Sequence, residues 1–169
     1  MKFATLHQEL SNSGEIIRAL LTGITQEDAQ FKPTPETWSI LEVICHLHDE
    51  EREDFRARLD SILNHPEQEF AVINPQGWIT ERKYNEQNFE QTKKKFFAER
   101  AKSLEWLNGL TNLDWEIMHT DQYGSVTAGE MLSAWVAHDN LHIRQLVELR
   151  RARIEKITQP YLIEYAGEW

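Results

Sequence analysis

The sequence predicts an all-α fold, a bundle of four long helices, on three observations. Apolar residues recur at intervals of three and four over four separate spans. Two of the spans open on a capping box, Ser39 with Glu42 and Thr127 with Glu130, where a hydroxyl and a carboxylate three residues on satisfy each other's backbone N–H groups. The proline pair Pro33 and Pro35, and Pro66 after them, fall between the spans.

The first helix is expected over 3–24, where Phe3, Leu6, Leu10, Ile17, Leu20, Leu21 and Ile24 keep helical spacing and Gly23 sits near the end. Thr25 to Asp28 opens a short turn, and the two prolines forbid helix up to Trp38. A second helix is expected over 39–63, its core stripe Ile40, Ile44, Leu47, Phe55, Leu59 and Ile62 broken by polar Glu51. Pro66 ends it. Residues 65–80 form a long connection with the apolar run Phe70 to Ile73, a length that in a compact domain suits a loop roofing a pocket.

A third helix is expected over 82–108, on Phe89, Phe96, Phe97, Leu104 and Leu107, with Gly109 as its stop. Leu110 to Val126 reads as an extended connection with a turn at Asp121 to Gly124, delivering the chain to a fourth helix over 128–152. The tail beyond it holds Ile154, Ile157, Tyr161, Leu162, Ile163, Tyr165 and Trp169, too apolar to float free, and is expected to pack on the bundle or on a partner subunit.

With 169 residues, 40% hydrophobic and 10% aromatic, the chain suits one compact domain spanning 1–169. Eighteen basic residues stand against 28 acidic, a formal charge of -10, which repels nucleic acid and anionic lipid. No segment has the length of a membrane span and the N-terminus lacks a signal-like apolar run, so a soluble, cytoplasmic protein is expected. Cys45 is the single cysteine; beside Ile44 and Leu47 it reads as an apolar filler rather than a nucleophile.

The fourth helix carries the chemistry. Met131, Trp135, His138, His142, Gln145 and Leu149 form its core-facing stripe, and His138 and His142 lie about 6 Å apart along the axis and about 40° apart around it. Two imidazoles so placed can hold one metal ion or can be core histidines hydrogen-bonded to neighbours; spacing leaves both readings open. A third donor is available in His46, on the second helix, and three imidazoles with an open position form a common catalytic metal arrangement. Glu50, one turn beyond His46, is a candidate fourth ligand or proton acceptor, or a solvated acid. His119, in the connection before the fourth helix, is a candidate for proton transfer. His48 and Asp139 point off the histidine faces and are expected on the surface, as is the run Lys93 to Lys95; Phe70 to Trp78 and Tyr84 are expected as pocket walls.

These residues carry a resemblance. Trp38-Ser39 ahead of His46-Leu47, Arg100 in a helix ending Leu107-Asn108-Gly109-Leu110, Gly124 to Thr127, and His138 with His142 and Gln145 together resemble the DinB/YfiT-like family, in order and over nearly the whole chain. The resemblance implies a four-helix bundle, often a homodimer, with a divalent metal held by His46, His138 and His142. Zinc or nickel comes first for such ligands, manganese or iron next. Relatives include transferases that use bacillithiol, mycothiol or glutathione, a maleylpyruvate isomerase, and damage-inducible proteins of unknown activity. The expected function is therefore a metal-dependent S-transferase joining a low-molecular-weight thiol to an electrophilic small molecule; a metal-dependent hydrolase and a non-catalytic metal-binding protein are the alternatives.

Overall fold

The computed structural model describes residues 2–111 and 113–168. Its four long helical spans make the expected bundle. α1 is Phe3–Leu20, ending three residues before Gly23, whose φ of +75° suits glycine. The turn expected after it closes into a short helix, α2, Gln26–Gln30, because Thr25 and Asp28 form a third capping box.

The second span is α3, Ile40–Glu50, a π-helical turn at Glu51–Phe55, and α4, Arg56–Asn64. Ser39 and Glu42 cap it as expected, with bonds of 3.1 and 2.8 Å. Glu51, the first residue of the π turn, keeps the inward place of its stripe position, and both of its carboxylate oxygens accept from Arg100 at 2.8 and 2.7 Å.

The connection after α4 contains α5, Pro75–Glu81, begun by the Asn74 cap with Pro75 at the first position, and a 3₁₀ turn at Tyr84–Glu86. The third long helix, α6, is Phe89–Gly109, so its expected start at residue 82 is corrected. Lys83 adopts a left-handed conformation, φ 49°, which interrupts the helical path, and Asn88 starts it again by accepting from the Gln91 N–H.

The expected extended connection is a hairpin, β1, Met118–Asp121, antiparallel to β2, Gly124–Thr127, with Met118 opposite Thr127. α7, Ala128–Thr158, follows and runs past the expected end at residue 152. Beyond residue 152 the chain touches the bundle through Arg153, paired with Asp28, and Lys156, over the Phe31 ring, while most of its apolar side chains stay outside the core. Tyr161, Leu162 and Tyr165 are exposed, as are Ile154 and Ile157 on the last turns of α7, while Trp169 lies outside the described residues. Among the described residues no helix is long and apolar enough to cross a membrane.

α1 packs on α7, and α3 on α6. The core falls into two apolar clusters, and each long span passes from one to the other through polar residues. α1 goes from Leu10 to Ile17 by way of Ser13, the second span from Leu47 to Leu59 by way of Glu50 and Glu51. α6 passes from Phe96 to Leu107 through Arg100 and Ser103, and α7 from Val136 to Leu146 through Asp139 and His142. A buried polar layer therefore crosses the middle of the bundle. Arg100 anchors it, with Nη1 and Nη2 donating to Asp139 at 2.6 and 2.9 Å and Nη1 also to the Leu10 carbonyl at 2.8 Å.

Candidate metal centre

α3 and α7 face each other across this layer, so His46 from one meets His138 and His142 from the other. One donor atom from each of the three lies within 4.8 Å of the others. The Nε2 atoms of His138 and His142 are 3.1 Å apart, and Glu50 Oε2 is 2.9 Å from His138 Nε2 and 3.3 Å from His46 Nε2. Donors each about 2.0–2.1 Å from a tetrahedral zinc stand about 3.3 Å from one another, so the separations of 2.9–3.3 Å suit a shared cation, and the wider spread of the three histidines, up to 4.8 Å, closes with a small ring movement.

The protonation pattern points the same way. His142 Nδ1–H donates to Gln145 Oε1 at 2.8 Å, which leaves its Nε2 a bare lone pair aimed inward. His138 Nε2 lies within reach of both that lone pair and the Glu50 oxygen, and a single proton there can serve only one of them. His46 brings a further nitrogen to the group, and its Nδ1 is buried without a partner. A cation answers the facing nitrogens and the Glu50 oxygen at once, with His46 Nδ1 left to carry that ring's proton.

Charge balance agrees. The layer holds the carboxylates of Glu50, Glu51 and Asp139 against the single guanidinium of Arg100, while Asp54 beside them is paired with Arg58 at 2.9 Å. With neutral histidines the residue of negative charge equals that of a divalent cation, and buried charge of one sign is costly until it is compensated. Neutral is the state that burial favours: it holds His46 down at about 4 against the approach of Glu50, and lowers His142, where His138 adds to the effect. Burial pushes Glu50 upward, but the hydrogen bond from His138 and the positive charge that the histidines take on in acid outweigh it and leave the carboxyl below its ordinary value. Asp54 is raised by burial and by the nearby Glu50 despite Arg58.

Aromatic rings close the surroundings. Trp38 stacks on His142 at 6.1 Å and meets His46 edge-on at 4.8 Å; Phe55 lies 4.9 Å from His138. The sequence reading assigned neither a role here. The Trp38-Ser39 entry to α3 was a usable signal for the first; the core stripe turned Phe55 inward but could not say that it would meet His138 on α7.

The other candidates are held elsewhere. His119 is buried in β1, its Nδ1–H donating to the Pro66 carbonyl at 3.0 Å and its ring stacked 3.9 Å from Phe70. Those contacts tie the long connection to the hairpin and involve no member of the histidine cluster. Phe70 to Ile73 and His119 line a cleft of about 480 Å³, and Tyr84 lines another beside Asp49, so neither walls the cluster. His48 is only partly exposed, Nδ1 donating to Asp49 at 2.9 Å. Asp139 is fully buried, which corrects its expected surface position: the side of α7 away from the histidines faces α6 and Arg100, not solvent. Cys45 is buried as expected, and burial pushes its thiol up to about 12.

A family model described as the DinB superfamily matches residues 9–146. Among solved structures the fold is similar to YfiT from Bacillus subtilis, described as a probable metal-dependent hydrolase with an unusual four-helix bundle topology, at a TM-score of 0.77 and 16% identity over 89% of this chain and 86% of that one. No curated protein matches.

Proposed function

This chain belongs to the DinB superfamily, and from that premise we propose that it is a divalent-metal-dependent enzyme acting on a small molecule by hydrolysis, with His46, His138 and His142 as the metal ligands. The observation that carries the reading is the convergence of three imidazoles and the Glu50 carboxylate in a buried layer whose charge is left negative. A bound ion supplies Lewis acidity, polarising a substrate oxygen and lowering the proton affinity of a nucleophile.

The chain's own groups do the rest. Gln145 holds the His142 ring in the tautomer that turns Nε2 inward. Trp38 and Phe55 limit water around the histidines. Glu50 Oε2 is the proton acceptor: its carboxyl is held below the ordinary value, so at neutral pH it is ionised and ready to receive a proton from the nucleophile. A base is of most use when the nucleophile is water, since a thiol of pKa about 8.5 gives up its proton to a metal far more readily. That difference favours hydrolysis, as does the description of YfiT.

Thiol transfer is the second reading. Neutral imidazoles leave a bound ion's positive charge available to a thiolate, and Cys45, buried with its thiol pushed up to about 12, is unsuited to serve as that thiolate. The thiol then comes from a cosubstrate such as bacillithiol, mycothiol or glutathione. The exposed apolar end of α7 and the tail, Ile154, Ile157, Tyr161, Leu162 and Tyr165, support a homodimer in either case.

The deciding experiment runs metal-loaded protein against an ester, lactone and amide panel, and in parallel with each thiol and a chlorinated nitroarene. Hydrolysis lost in His142→Ala supports the first reading. Conjugation without hydrolysis supports the second, and neither activity with any metal overturns both in favour of a non-catalytic role in which Glu50 completes the metal's shell.

A further inference from the structure

A second polar cleft, of about 640 Å³, opens between α3 with its π turn and α6, on a side of α3 whose contacts are with α6 and the Arg82–Tyr84 segment rather than with α7. Its carboxylates are already fully served. Asp49 accepts from Tyr84 Oη at 2.7 Å, Arg82 Nη1 at 2.6 Å and His48 Nδ1–H at 2.9 Å. Glu53 accepts from Arg82 at 2.8 and 3.0 Å and from Arg52; Glu99 accepts from Arg56 and from Lys102 at 3.0 Å.

What remains unspent in the cleft is positive. Among the described residues Lys95 forms no ion pair, and its ammonium lies near enough to act electrostatically on the Cys45 thiol at the cleft wall. Lys102 uses one N–H on Glu99, and Arg52 spends only Nη2 on Asp49 and Glu53. The cations around the cleft outnumber its carboxylates, on a chain whose net charge is -10. A concave surface with every carboxylate oxygen occupied and charged donors free attracts anions and repels cations.

We infer that this cleft is a binding site for a small oxyanion, the carboxylate or phosphate group of a small metabolite, held by Lys95, Lys102 and Arg52 and separate from the histidine cluster. All three side chains reach solvent, so replacing them leaves the packed core intact.

The test is calorimetric and NMR titration at low ionic strength with inorganic phosphate and, separately, with succinate and citrate. The protein is used as purified and as His138→Ala. Saturable binding with a Kd on the order of 1 mM or tighter is expected, weakened about tenfold or more in the Lys95→Gln/Lys102→Gln double variant. It should be unchanged in Lys94→Gln, which removes one lysine charge outside the cleft, and in His138→Ala. The stronger of the phosphate and carboxylate arms identifies the head group. Absence of saturable binding overturns the inference. So does equal weakening in Lys94→Gln, which means diffuse surface charge, or loss in His138→Ala, which means the anion sits on the histidine-bound metal.

Discussion

Glu50 Oε2 stands 2.9 Å from His138 Nε2, a carboxylate from α3 meeting an imidazole from α7 at the one level of the bundle where every long span turns polar. Glu50→Gln keeps the size of the side chain and removes its charge, so it separates two jobs. If Glu50 is a proton acceptor, turnover falls about 10²- to 10⁴-fold with metal content unchanged. If it is a ligand, metal affinity falls with it. Steady-state kinetics beside elemental analysis of the same preparation distinguishes them, and wild-type rate with wild-type metal content removes Glu50 from both roles.

Protein purified from cells is expected to carry one divalent ion per chain. Alanine at His46, His138 or His142 should abolish stoichiometric binding. Gln145→Ala should weaken it about 10- to 100-fold by freeing the His142 ring. His48→Ala should leave it intact, because His48 is engaged with Asp49. Equal affinities in His48→Ala and His138→Ala would falsify the ligand assignment.

The parts of this site that were legible in the sequence are those that follow from local rules. The capping boxes at Ser39 and Thr127 announce two helices, and the i,i+4 spacing of His138 and His142 follows from helix geometry alone. Glu51, Arg100 and Asp139 were not legible as core, because a charged residue is read as exposed until its partner is known, and these partners lie 39 and 49 residues apart. The π turn is equally silent, and Glu51 reads as a defect in an apolar stripe when it is the buried partner of Arg100. Asn88 was overlooked as the true start of α6, although Asn is a strong N-cap. Nothing local shows that the tail stays exposed.

The Arg100 triad should be a stability determinant distinct from the metal. Arg100→Met leaves Glu51 and Asp139 buried without their counter-ion and is expected to cost about 3–5 kcal/mol. Replacing all three by apolar residues of similar volume should recover much of that loss. Urea unfolding of metal-free protein measures both, and a triple variant no more stable than Arg100→Met would argue against charge isolation as the cause.

Acid should destabilise the metal-free protein before its carboxylates titrate. His46 has an unfolded value near 6.5 and a folded value lowered to about 4, chiefly by burial. Between those values the unfolded chain binds a proton that the native state refuses, so stability falls as pH drops through that window. The gap corresponds to about 3 kcal/mol when fully expressed. Thermal melts of metal-free protein at pH 7.5, 6 and 4.5 should show the decline, with a shallower slope in His46→Gln; parallel slopes would assign the acid sensitivity to other groups.

The nucleophile question can also be put to Cys45 directly. Burial pushes its thiol up to about 12, with the Asp49 charge acting in the same direction against Thr92 and Lys95. At pH 8 the thiolate fraction is then on the order of 10⁻⁴, against about a tenth or more for a free cysteine. Native protein should therefore resist a chromogenic disulfide reagent at pH 8 and react fully once unfolded in guanidinium. Cys45→Ala should retain any hydrolytic or thiol-transfer activity, because the buried sulfur, turned toward the Tyr84 carbonyl at 3.8 Å, fills space in the apolar core. Rapid labelling of the native protein, together with loss of activity in Cys45→Ala, would show that the chain supplies its own thiolate and would rule out the cosubstrate required by the second functional reading.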